Sequence, residues 1–169
     1  MSIRIFTTGG TIDKVYFDAR SEFAVGDSLI DRILHEAQVT MPFTIEPLMR
    51  KDSLELDDGD RTVMLNAVLE ASEAHVIITH GTDTMSVTAR TLLDGGVKNH
   101  GKTVVLTGAL NPARFQGTDA IFNVGMAIAA VQTQEPGVYI TMNGQVFEGD
   151  RVRKNTTINR FESTYDQLR

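Results

Sequence analysis

Apolar residues in this chain fall into short runs, each closed by a cluster of glycine, threonine or aspartate. Ile3–Thr7 alternates apolar and polar positions and reads as a strand that runs into Thr8-Gly9-Gly10-Thr11. His75–His80 and Lys102–Thr107 are nearly continuous apolar runs, as expected of strands covered on both faces. They close on Gly81-Thr82-Asp83-Thr84 and on Gly108-Ala109. Pro42–Met49 is a fourth, proline-interrupted strand, and Val138–Met142 a fifth. Asn143-Gly144 then carries the strongest hairpin signal in the chain and leads into Gln145–Phe147.

Between the strands the apolar spacing changes to three and four residues. Asp27 or Ser28 is placed to cap a helix with Leu29, Ile30, Ile33, Leu34 and Ala37 on one face, with Ser28 and Asp31 resembling a capping box. Asp57 or Asp58 opens a helix to about Glu73 that buries Val63, Met64, Ala67, Val68 and Ala71. A third helix follows Thr84 and ends near Gly95-Gly96. A fourth runs from Asp119 to about Gln134 and buries Ile121, Phe122, Val124, Ile128 and Val131. Residues 14–26 show no helical period and read as a long loop, and the tail from Asn155 is polar apart from Phe161.

Strands alternating with helices predict an α/β fold: an open, doubly wound, mostly parallel sheet in a flavodoxin- or Rossmann-like three-layer sandwich, with a C-terminal β-hairpin. Ligands of such sheets sit beyond the carboxyl ends of the strands, where the strand order reverses. The three strand ends TTGGT, THGTDT and LTGA are therefore expected to converge on one edge.

Composition narrows the function. With 169 residues, 41% hydrophobic and 22% charged, the chain reads as one domain able to bury its own core. The absence of cysteine excludes disulfides and thiolate metal sites. A formal net charge of −6 weighs against nucleic acid or an anionic membrane as partner. No stretch approaches 18 apolar residues, so no membrane span is expected, and a cytoplasmic protein is the default.

The candidate chemistry lies at the strand ends. A hydroxyl just after a glycine pair, as at Thr11, stands exposed beside backbone N–H groups, which suits a nucleophile. The same letters describe a plain polar turn or a phosphate-binding loop, but their spacing fits neither GxGxxG nor GxxxxGK[ST]. Thr82 and Asp83 open a helix, where N–H groups face an incoming anion, and Asp83 offers a carboxylate to a substrate ammonium. Capping alone would also explain Thr82, Asp83 and Thr84. His80 is a candidate base or a structural histidine. Lys154, in Arg151-Val152-Arg153-Lys154, becomes a proton carrier only if the fold buries it beside a hydroxyl, and is otherwise a solvated charge.

Four segments, TTGGTID (7–13), ITHGTDTM (78–85), VVLTGALNP (104–112) and RKNTT (153–157), look like the bacterial-type L-asparaginases and stand in the same order. The resemblance covers nearly the whole chain and corresponds to that family's larger N-terminal domain. It suggests a short, single-domain form, 1–169, with the family's second domain absent. It implies an amidohydrolase that converts L-asparagine to L-aspartate and ammonia through a threonine-linked acyl-enzyme, with weaker activity on L-glutamine and no cofactor or metal. By position, Thr11 is similar to the primary nucleophile, and Thr82, Asp83 and Lys154 to the second catalytic group. The substrate-binding set is Gly10, Ser53, Gly81, Thr82, Asp83 and Ala109, with Ser53 at the α-carboxylate and Ala109 making a backbone contact.

Two positions depart from the family. Leu54 stands where many members have a polar residue. The family's catalytic mobile-loop tyrosine, which assists the nucleophile, matches Tyr16, although alignment on the AVG ending places Phe23 there. A pocket without a second-domain wall implies weak substrate binding unless another protomer closes it, and a homodimer or larger oligomer is expected. A different class is also consistent with the resemblance: a catalytically weak subunit that senses asparagine or aspartate.

Overall fold

In the computed structural model, which describes residues 1–17 and 22–167, the chain starts with β1 (Ile3–Gly9) and a 3-10 turn at Thr11–Asp13. Next come a ribbon of β2 (Lys14–Phe17) and β3 (Glu22–Val25), then α1 (Ile30–Glu36) and β4 (Phe43–Lys51). A 3-10 turn at Ser53–Glu55 precedes α2 (Asp58–Glu70), β5 (His75–Thr79) and α3 (Met85–Asp94). The remainder is β6 (Thr103–Thr107), α4 (Ala120–Thr133), β7 (Gly137–Met142), β8 (Gln145–Glu148), β9 (Val152–Asn155) and β10 (Arg160–Ser163).

Six strands form one sheet in the order β4-β1-β5-β6-β7-β8, parallel except for β8. Strand order reverses between β1 and β5, which makes the crevice beyond their carboxyl ends the place for a ligand. Successive side chains point to opposite faces of the sheet. Ile3 and Ile5 of β1, Ile77 of β5 and Val105 of β6 pack towards α1 and α4. Phe6, Val76, Ile78, Val104 and Leu106 pack towards α2 and α3. The expected three-layer α/β sandwich is thus present. Asn143 and Gly144, with φ of 53° and 74°, form the β7–β8 turn at the hairpin signal. Pro47 sits on edge strand β4, where a missing N–H is tolerated.

Several local expectations fail for tertiary reasons. The stretch 14–26 is not a loop: β2 and β3 pair antiparallel, Lys14 opposite Val25 and Tyr16 opposite Phe23. Residues 18–21 of that stretch lie outside the described residues. Helix α1 begins at Ile30 with Leu29 as its N-cap, and Asp31 makes no capping box. Its carboxylate instead faces His35, and Ala37 is exposed. In α2, Asp57 and Asp60 form the capping box, but Val63 is exposed and Arg61 is buried. In α4 the buried face is Ala120, Asn123, Val124, Ala127, Ala130 and Val131, leaving Ile121 and Phe122 exposed. Its alanines let the helix lie close on the sheet, and Asn123 turns inward because it has a partner there. The polar tail forms the β9–β10 hairpin, pinned by Phe161, which is buried beside Phe147.

One contact joins the two central turns. Gly10 has a φ of 83°, and a Cβ there would overlap the backbone of Gly81. A Cβ on Gly81 would in turn come within 2.5 Å of the Ser53 side chain. Gly10→Ala is therefore expected to lose about 2–3 kcal/mol, a fall in Tm of roughly 5–10 °C. Gly125→Ala, in exposed helix with nothing within 4 Å of the new Cβ, should raise stability by about 0.5–1 kcal/mol. Thermal unfolding of the two variants checks both.

Candidate active site

The walls of the crevice are turns held by buried hydrogen bonds. Thr8, 1% exposed, donates its hydroxyl to Thr79 O at 2.7 Å and so ties the first glycine turn to β5. Gly10 N donates to Lys51 O at 2.9 Å, bringing the end of β4 to the same place. There Asp52 accepts from Leu54 N while Glu55 accepts from Asp52 N, a capping box that shapes the Ser53 turn. Thr84 Oγ1 donates to Ser53 O at 2.8 Å, and Lys14 pairs with Asp52 at 2.7 Å. Burial opposes ionisation of Asp52. The Lys14 bond, the Leu54 N–H and the charges of Lys14 and Lys154 outweigh it and hold its carboxyl below the usual range. Behind them, His80 N donates to Thr107 O at 2.8 Å, and Gly108 lies against His80 O with no room for a Cβ.

Lys154 comes from the far end of the chain. Strand alternation on β9 puts it on the same side as buried Val152, opposite Phe161 in the ladder. Its ammonium donates to Thr82 Oγ1 at 2.8 Å and to Asp83 Oδ1 at 2.5 Å. The Lys154 side chain is 10% exposed, that of Asp83 38%. The N–H groups of Thr82 and Asp83 have no carbonyl partner among the described backbone hydrogen bonds.

Contacts thus link Gly10 to Gly81, Gly81 to Ser53, and Lys154 to Thr82 and Asp83, with Thr11 next to Gly10 in the chain and Ala109 buried on the adjoining turn. Thr11 opens the 3-10 turn directly after the Gly10–Gly81 contact and stays partly exposed. Leu54 projects into solvent at 74% exposure. Tyr16 lies on β2 with its ring 5.2 Å from Phe23, and no hydrogen bond joins it to Thr11 among the described residues. Tyr16 and Phe23 are direct partners in the ribbon, so both alternatives for the loop position fall at one register point.

His80 is structural. It is fully buried, its Nδ1–H donates to Gly81 O at 2.7 Å, and its Nε2 accepts from Thr88 at 2.8 Å. Burial pushes its imidazole down to about 4 against the Gly81 bond, and Arg61 adds to the effect. A ring with both nitrogens engaged is not free to act as a base.

Two polar features were not legible in the sequence. Asp13 is 2% exposed, and its Oδ1 lacks a partner among the described residues. Burial pushes its carboxyl up to about 6, against the Ser28 hydroxyl, Arg114, the Leu29 N–H and Arg50. Nothing in TTGGTID marks that aspartate as interior. The second feature is the pair Asp119 and Asn123. Asp119 accepts from Leu110 N and Asn111 N, while Asn123 donates to Gly108 O at 3.0 Å, so one helix end holds the turn that carries Ala109. Their i, i+4 spacing was the available signal.

No group of three His, Cys, Asp or Glu side chains placed to hold a metal occurs among the described residues. Comparison with known proteins decides the family. The model described as "Asparaginase, N-terminal" matches residues 2–166. The chain belongs to the asparaginase family. It is 29% identical to the L-asparaginase of Thermococcus kodakarensis over 96% of this chain and 51% of that protein. The solved structure of the thermostable L-asparaginase from the same organism superposes with a TM-score of 0.84 at 28% identity, covering 96% of this chain and 51% of that one. A protein of Haemophilus influenzae called probable periplasmic L-asparaginase is 31% identical over 92% of this chain and 47% of its own. A glutaminase-asparaginase of Pseudomonas fluorescens is 31% identical over 55% of this chain and 26% of its own. This asparaginase-family chain spans about half the length of the first two.

Asp13 and His80 predict opposing pH dependences. Asp13 has its folded pKa raised, so the fold binds the extra proton and loses stability as pH rises from about 4 to about 6. His80 has its folded pKa lowered, so stability is lost as pH falls from 6.5 towards about 4. Asp13→Asn removes the first effect. Its stability relative to the parent should grow by up to about 3 kcal/mol between pH 4 and 7, read from urea unfolding across that range.

Proposed function

We propose that this crevice hydrolyses the side-chain amide of L-asparagine to L-aspartate and ammonia. The observation that carries the proposal is the Lys154 ammonium donating at once to Thr82 and Asp83, beside the turn that presents Thr11. A purely binding site needs grips for an α-ammonium and an α-carboxylate. It has no use for a lysine bonded to a threonine hydroxyl.

In this reading Thr11 Oγ attacks the amide carbon. Its proton passes to the amide nitrogen, which leaves as ammonia, and a β-aspartyl ester remains on Thr11. Water then attacks the ester, gives one proton back to Thr11 Oγ, and releases aspartate. Lys154 donates to Thr82 Oγ1, so that hydroxyl keeps its own hydrogen free to point at substrate, and the pair can pass a proton without net charge movement. In this reading the N–H groups of Thr11 and Thr82 receive the charge that develops on the amide oxygen. Asp83 Oδ1 is engaged by Lys154, which leaves Oδ2 for the substrate α-ammonium. Ser53, buried beneath Gly81, serves the α-carboxylate, and Ala109 contributes its backbone beside the amide. Gly10 and Gly81 form the floor.

A weaker activity on L-glutamine belongs to the same proposal, since one methylene is discriminated by only about 1–3 kcal/mol. So do a cytoplasmic location and association into a dimer or larger. The exposed Ile121, Phe122 and Val146 support the last of these, because such apolar residues mark interfaces.

Ammonia release from L-asparagine tests the central claim. Thr11→Val and Lys154→Ala should each lower kcat by about 10²–10⁴-fold with unfolding temperature nearly unchanged. Binding of asparagine without ammonia release by the parent would favour the sensor alternative. Loss of turnover in Thr82→Val but not in Thr11→Val would move the nucleophile to Thr82.

A further inference from the structure

Tyr16 rides on a ribbon that has no third strand. β2 pairs with β3 and neither joins the central sheet, and an isolated two-stranded ribbon is marginal in water. The Lys14–Asp52 and Arg50–Asp27 pairs hold its open end, and something else must set where the Tyr16–Phe23 end lies.

Three consecutive residues of the loop between β6 and α4 meet it at separate points. Ala113 N donates to Ile12 O at 3.0 Å, just before β2. Arg114 donates to Asp27 O at 3.0 Å, just after β3. The Phe115 ring stands 6.0 Å from that of Phe23 on β3, inclined at 52°, and Phe23 meets Tyr16 at 5.2 Å and 57°. The strip is itself braced. Asp119 receives the N–H groups of Leu110 and Asn111, Thr118 Oγ1 donates to Asn111 O at 2.9 Å, and Phe115 N donates to Pro112 O at 2.9 Å. The three rings are 42%, 51% and 49% exposed for Phe115, Phe23 and Tyr16, so they form a surface chain of ring contacts outside both cores.

We propose that the Ala113–Phe115 strip is the positioning surface for the Tyr16 ribbon, with Phe115 acting through Phe23 to place the Tyr16 ring. Phe115 is a positioning residue and touches no reacting atom. The role given to it rests on the reading that Tyr16 serves the hydrolysis of asparagine. A tilted aromatic contact of this kind biases the docked over the undocked ribbon by about 2- to 10-fold.

Hydrogen exchange without substrate tests the contact independently of activity. Phe115→Ala should speed exchange of the ribbon amides, residues 14–17 and 22–25, by about 2- to 10-fold, while β5 and β6 keep their protection. Phe115→Tyr should restore the parent rates, and Phe115→Ala should add nothing further in a Phe23→Ala background, where its ring partner is gone. In parallel, kcat/KM for L-asparagine should fall several-fold in Phe115→Ala and recover in Phe115→Tyr. Unchanged ribbon exchange in Phe115→Ala, or failure of Phe115→Tyr to rescue, overturns the proposal. A loosened ribbon with undiminished kcat/KM overturns the link to Tyr16. If the parent releases no ammonia but the ribbon still loosens, the positioning surface stands and the asparaginase reading fails.

Discussion

The close approach of Gly10 and Gly81 is the constraint on which the rest of the crevice depends. Two strands that are hydrogen-bonded neighbours in a parallel sheet end side by side, yet their following turns usually diverge under the bulk of their side chains. Here neither turn has a Cβ at the crossing point, so the backbones touch. Thr11 and Thr82 are the next residues along each chain segment, so each follows directly from the contact. The same absence of side chain at Gly81 seats Ser53, which draws the end of β4 into the group.

Around that contact the fold separates polar groups that hold structure from those left for chemistry. Thr8, His80, Thr107 and Asn123 are all buried and have hydrogen-bond partners, mostly backbone carbonyls of the strands and turns around the site. They cannot reorganise without leaving a buried polar group unpaired, which keeps the turns rigid. Thr11, Asp83 and Lys154 keep part of their surface open. Lys154 has a second consequence. Because it arrives on a hairpin anchored by Phe161 against Phe147, the cation at the site depends on a hydrophobic contact near the end of the chain. A polar tail therefore becomes an obligatory part of the crevice.

The ribbon stands in contrast to this rigid set. Tyr16 and Phe23 lie on the surface, and the ribbon is touched by Asp52 on one side and by the loop before α4 on the other. Elements held by few buried contacts are the ones that move at low cost. A floor of turns fixed by buried hydrogen bonds thus stands beside a ribbon held by surface contacts.

The sequence by itself determined the alternation of strands and helices, the parallel sheet, the Asn143-Gly144 hairpin and the three glycine- and threonine-rich strand ends. Those features are written in local periodicity and in residues whose backbone preferences are strong. It also carried the motifs by which the family resemblance was read, because chemistry at strand ends is specified by residue type and spacing. Only the tertiary structure decided the rest. That Lys14–Phe17 and Glu22–Val25 pair as a ribbon is a register that no local periodicity announces. Whether α4 buries Phe122 or Asn123 depends on the carbonyl of Gly108 waiting inside. Asp13 and Lys154 look equally solvated in one dimension, yet one is buried with an unpartnered oxygen and the other is held against Thr82. Charged side chains take their character from what surrounds them, and that environment is assembled from segments far apart in the chain.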